Sequence, residues 1–163
     1  MRVILCDVSG SMSERANAEQ RRIDVLQTAF DRVLSETPDT RVIAFGSVPL
    51  ILDRGAMLPP PAGGTALTEA IETAAAFHPQ LLLVLSDGMP NDPDSALAAA
   101  RRLECRVVTI FCGNPSDHGA ALFMQRLGWC SNDGLGEHLL ANLRQPERLE
   151  GELRRLLLGG PAV

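Results

Sequence analysis

The chain has 163 residues, 45% hydrophobic and 21% charged, which suits one globular domain spanning 1–163 with a core of its own. Its net charge of −5 and complete lack of Lys exclude the clustered basic surface of a nucleic-acid binder. No apolar run approaches the ~20 residues of a membrane span, and the four apolar residues after Met1-Arg2 are too few for a secretory leader. A cytoplasmic protein that binds no membrane is expected.

Val3-Ile4-Leu5-Cys6 reads as a buried first strand that runs directly into Asp7-Val8-Ser9-Gly10-Ser11-Met12. Glu19 to Glu36 follows as a helix, with Ile23, Leu26, Phe30, Val33 and Leu34 forming one apolar stripe. Arg41 to Phe45 is the second strand. The short Gly46-Ser47-Val48 link makes an antiparallel hairpin with Pro49 to Leu52 plausible. Three prolines at 59–61 stiffen the next loop, and Gly63-Gly64 frees the backbone before Thr65.

Leu67, Ala70, Ile71, Ala74 and Ala75 give a second helical stripe. Leu81 to Leu85 is an uninterrupted apolar strand, as expected for one covered on both faces, and it ends in Ser86-Asp87-Gly88. Asp92-Pro93 starts a helix reaching about Leu103, with a capping carboxylate followed by proline at the first helical position. Arg106 to Phe111 forms another strand and Asp117 to Leu127 another helix. His138 to Asn142 is read as a short last strand, and Pro146 opens a final helix carrying Leu149, Leu153, Leu156 and Leu157.

Strands alternating with amphipathic helices predict an α/β fold: a mostly parallel sheet of about six strands between two helix layers, with one antiparallel edge strand. In a doubly wound order 3-2-1-4-5-6, the strands ending at Asp7 and Asp87 are neighbours at the switch point where ligands bind. Asp7, Ser9, Ser11, Thr65 and Asp87 then share one edge of the sheet. Two nearby carboxylates repel unless a cation lies between them. A set of only oxygen donors suits a hard cation such as Mg²⁺, which prefers an octahedral shell at ~2.0–2.1 Å. Two acids and three hydroxyls leave one position of that shell for water or an incoming ligand. Taken singly, each residue has an ordinary role as a turn or capping residue, Thr65 as a helix cap among them.

At this point the sequence resembles the von Willebrand factor A-type domain, from Val3 to about Leu157. The specific parts are Asp7-Val8-Ser9-Gly10-Ser11, Gly63-Gly64-Thr65-Ala66-Leu67 and Leu85-Ser86-Asp87-Gly88, which match the three loops of that family's metal-ion-dependent adhesion site. The resemblance implies a three-layer, Rossmann-like fold, with Ser9, Ser11 and Thr65 as direct metal ligands and Asp7 and Asp87 as direct or water-mediated ones. It implies Mg²⁺ or Mn²⁺ as the metal, and a partner protein whose Asp or Glu completes the shell. The short chain resembles intracellular prokaryotic members, which commonly work beside AAA+ ATPases or in other multi-protein systems.

The expected function is therefore a docking module and not an enzyme. A structural subunit whose metal meets no partner also fits the sequence. A Mg²⁺-dependent hydrolase fits less well: Ser9 stands where such chemistry wants a second acid, and no His, Lys or Arg lies in the three loops as a base or phosphate clamp. The remaining residues have plainer readings. Met12, Met57 and Met89 are taken as loop packing before a partner-facing rim, and Glu14, Asp92 and Asp94 as solvated acids before a second cation site. The three His share no metal-ligand spacing. The four Cys contain no Cys-x-x-Cys pair, so they read as free thiols.

Overall fold

The structure, a computed structural model, describes residues 1–114, 116–130 and 146–158. Six strands, β1 (Arg2–Asp7), β2 (Thr40–Phe45), β3 (Pro49–Leu52), β4 (Leu81–Ser86), β5 (Arg106–Phe111) and β6 (Trp129–Cys130), form one sheet in the order 3-2-1-4-5-6. All pairings are parallel except β2 with β3, which closes the expected hairpin through Phe45 opposite Pro49. The helices are α1 (Arg22–Val33), α2 (Leu67–Ala75), α3 (Pro93–Arg101), α4 (His118–Leu127) and α5 (Pro146–Leu158), with a 3-10 turn over Gly10–Ser13.

The alternation along β1 builds the three layers. Ile4 and Cys6 join a cluster with Leu26, Phe30, Val33, Leu149 and Leu153 of α1 and α5. Val3 and Leu5 face the other way, among residues of α2, α3 and α4. A strand buried on both faces has no polar period, which is why β4 reads Leu81-Leu82-Leu83-Val84-Leu85. The doubly wound, mostly parallel sheet with its antiparallel edge is as expected.

Two expectations shift. The first helix begins at Arg22 and not at Glu19, because the Asn17 Oδ1 accepts from the backbone N–H groups of Glu19 and Gln20 (2.9 and 2.8 Å) and holds them in a turn. At the head of α1 the Asp24 carboxylate then accepts from the Arg21 backbone N–H (3.2 Å) and from its guanidinium (2.9 Å). Trp129–Cys130 takes the sixth place in the sheet, while the strand expected at 138–142 lies outside the described residues. At α3 the Asp92 carboxylate caps Ser95 N at 3.0 Å with Pro93 behind it, as its sequence predicts. Among the described residues no helix is long and apolar enough to cross a membrane.

Candidate metal centre

β1 and β4 are adjacent, and the chain leaves them toward opposite helix layers, so a crevice opens at their carboxyl ends. Asp7 is the last residue of β1 and fully buried, and Asp87 follows the last residue of β4 at 6% exposure. Such burial strongly disfavours a charged carboxylate unless something answers it. The Asp7 carboxylate accepts from Ser9 N (2.8 Å) and from Ser86 Oγ (2.5 Å). The Ser9 and Ser11 hydroxyls lie 3.2 Å apart, and Ser11 Oγ donates to Asp87 Oδ1 at 2.8 Å. Four of the five predicted residues thus form one continuous polar chain.

Thr65, the fifth, is half-buried and outside that chain, yet its loop is fastened to the same edge. Gly10 N donates to Gly63 O (3.3 Å), Ala62 N to Val8 O (2.9 Å), and Thr65 exchanges bonds with Asn91, N to Oδ1 and O from N, both at 3.0 Å. Gly63 makes this crossing possible: its φ is +72°, and a Cβ there would stand 2.1 Å from Ser47 Oγ. Thr65 does not cap α2, whose first flanking residue is Ala66, and among the described residues its hydroxyl makes no hydrogen bond. It is left available as a donor.

The sequence reading missed the charge that answers Asp87. No basic residue lies in the three loops, but the first turn of α1 brings in Arg22. Its guanidinium is buried, donates from Nη1 to Asp87 Oδ2 at 2.8 Å and to Ser11 O at 3.4 Å, and pairs through Nη2 with Glu14 at 3.0 Å. A signal was present: a cation at a helix N-terminus opposes the macrodipole, so Arg21-Arg22 at the head of α1 needed acidic partners. Ser86 was quoted within its motif but given no role, and Asn91 was not singled out. Glu14 and Asp92, considered for a second cation, are engaged with Arg22 and the α3 cap. Met12 packs into the core, whereas Met57 and Met89 are exposed.

Among the described residues Asp7 has no such partner. Burial pushes its carboxyl above the ordinary carboxylate range, hydrogen bonds from Ser86 and Ser9 pull it back, and the charge of Asp87 pushes it up again. Among the described residues no group of three or more His, Cys, Asp or Glu could hold a metal. The donor set here is instead two carboxylates with hydroxyls, all oxygen, which fits a hard divalent cation and not zinc. A cavity of about 540 Å³ lies elsewhere, against Phe30, Thr40, Arg41, Leu52 and Arg54, and includes no site residue. A smaller groove of about 290 Å³ runs along Val8, Gly46, Val48, Pro60 and Gly63, on the site's own loops.

Solved structures with the same architecture decide the fold. An aerotolerance-related membrane protein from Bacteroides fragilis superposes with a TM-score of 0.65 at 14% identity, covering 98% of both chains. BatB from Bacteroides thetaiotaomicron gives 0.57 at 16%, covering 93% of this chain and 98% of its own. The manganese-loaded TRAP protein of Plasmodium vivax gives 0.55 at 23%, covering 77% of this chain and 61% of its own. The fold is that of a von Willebrand factor A-type domain. At these identities the likeness is one of fold. No protein-family model and no curated protein matches the sequence. Within the A-type fold, the Asp7 to Ser11 segment, the Thr65 loop and Asp87 lie together at the carboxyl edge of the sheet.

Proposed function

We propose that this chain is a divalent-metal-dependent docking module with no catalytic role. Asp7, Ser9, Ser11, Thr65 and Asp87 would hold Mg²⁺ or Mn²⁺, and an Asp or Glu of a partner protein would complete the shell. One observation carries the reading: two buried carboxylates meet across β1 and β4, and among the described residues only Asp87 has a cationic partner. When bound, the metal supplies an electrophilic centre for a carboxylate. The chain's own residues set the rest. Ser86 and Ser9 orient Asp7, Asn91 fixes the Thr65 loop, and the groove beside Val8 and Gly63 reads the partner's shape.

The manganese-loaded A-type neighbour supports the choice of ion class, and the docking reading places the chain in a multi-protein assembly. An AAA+ ATPase is one such partner. Against hydrolysis, among the described residues no His belongs to the polar chain of the site, and its one cationic side chain, Arg22, is tied to Asp87 and Glu14 and not free to clamp a phosphate.

The test combines calorimetric titration of Mn²⁺ with affinity capture from host lysate in Mg²⁺ or EDTA, using Asp87→Ala as control. Saturable Mn²⁺ binding, with a protein retained only when metal and Asp87 are both present, is the expected result. No Mn²⁺ binding would end the reading. Binding with identical capture in every lane would leave a structural metal.

A further inference from the structure

We infer that Arg22 is a built-in counter-ion that weakens the site's hold on its metal and makes the loaded site demand an acid. This rests on the metal reading above and concerns what sets the site's charge. The Arg22 guanidinium and the Asp87 carboxylate are almost wholly out of solvent, 8% and 1% exposed, and 2.8 Å apart. Charges buried this closely interact far more strongly than surface pairs. The second arm of the fork reaches Glu14, whose side chain is 63% exposed, so Arg22 is shared between a buried acid and a wet one. Its Nε is buried with no hydrogen-bond partner among the described residues, which leaves these two acids and Ser11 O as its contacts.

The charge count gives the consequence. With both buried acids ionised, as a bound cation requires, and the water-screened Glu14 left aside, Asp7, Asp87 and Arg22 together carry one net negative charge. A divalent cation turns that into one net positive charge, and a carboxylate from outside restores neutrality. With a neutral side chain at position 22, the metal alone would neutralise the pair of acids and an external carboxylate would gain much less. Arg22 therefore lowers affinity for the bare metal and couples its retention to an acidic ligand. Arg22 also donates to the carbonyl of Ser11, so it holds the hydroxyl loop and Asp87 in one arrangement whether or not a cation is bound.

The experiment titrates Mn²⁺ into wild type, Arg22→Gln, Arg22→Lys, Glu14→Gln and Arg21→Gln, by calorimetry and by the electron-paramagnetic signal of free Mn²⁺, with acetate or chloride as the buffer anion. Arg22→Gln should bind Mn²⁺ roughly tenfold or more tighter than wild type, and acetate should help it less. Arg22→Lys, which keeps the charge, should stay near wild type. Glu14→Gln hands Arg22 wholly to Asp87, so affinity should fall by about two- to fivefold; this exposed site keeps the idea testable if Arg22→Gln does not fold. Arg21→Gln removes an exposed Arg already paired with Asp24, and should change affinity less than about twofold. Equal or weaker binding by folded Arg22→Gln, or unchanged binding by Glu14→Gln, overturns the role of Arg22 and leaves the metal reading standing. If no variant and no wild type binds Mn²⁺, both fall.

Discussion

Ser86 Oγ donates to Asp7 Oδ2 at 2.5 Å, joining the ends of two neighbouring parallel strands from residues 79 apart in the chain. Both groups are buried. Ser86→Ala would leave a buried carboxylate oxygen without its donor, a loss worth about 1–3 kcal/mol. Urea denaturation should show the unfolding free energy falling by that amount, read as a lower midpoint with an unchanged slope. An unchanged midpoint would mean that water replaces the hydroxyl and that the site is wetter than its burial implies.

Asp7 stands where function and stability conflict. Its carboxyl is held above the ordinary range chiefly by burial, so the fold disfavours the charged form of this side chain. Asp7→Asn removes that charge at nearly constant volume. The metal-free variant should be at least as stable as wild type on thermal unfolding, while Mn²⁺ affinity drops by at least ~10–100-fold. Lower stability of the metal-free variant would show that the carboxylate's two hydrogen bonds outweigh its desolvation.

Gly63 fixes where the Thr65 loop crosses the Asp7 loop. With φ at +72° and Ser47 Oγ at 2.1 Å from any Cβ, Gly63→Ala must shift backbone or Ser47. A cost of about 1–3 kcal/mol is expected. Faster amide exchange at Gly10 and Gly64 should accompany it, because their partners are Gly63 O and Ser47 Oγ. Stability loss without faster exchange there would place the strain elsewhere.

The architecture was readable because each element carries its own signal. The apolar run of β4, the stripe of α1 and the Asp92-Pro93 cap agree with one topology, and that topology puts Asp7 beside Asp87. Ser9 and Ser11 follow from chain proximity to Asp7. Arg22 was not readable in the same way, because its contact with Asp87 spans 65 residues and depends on how α1 lies over the sheet edge. The start of α1 was misplaced for a local reason: the Asn17 turn competes with helix through side-chain hydrogen bonds that apolar periodicity does not register. Thr65 read as a cap in isolation because hydroxyl residues favour that position, yet Ala66 takes it.

The last helix is held by a leucine seam and a charged rim, and the two respond differently to acid. Leu149, Leu153 and Leu157 are buried against the layer that α1 forms. Outside them Arg154 pairs with Glu36 at 2.7 Å and also with Glu150, while Arg32 reaches Glu150 at 3.0 Å. Hydrogen bonds from Arg154 hold Glu36 below the ordinary glutamate range, and those from Arg32 and Arg154 do the same for Glu150. A carboxylate depressed in the folded state binds fewer protons there than when unfolded, so its contribution is complete above the unfolded value of 4.5 and is lost as pH falls through the folded one. Acidification below about pH 4.5 should therefore loosen α5 first, with amide protection falling in 146–158 before β1 and β4. Arg154→Ala should lower that protection at neutral pH and flatten its dependence on acid. If α5 and the central strands lose protection together at every pH, the rim adds nothing and the leucine seam alone holds the helix.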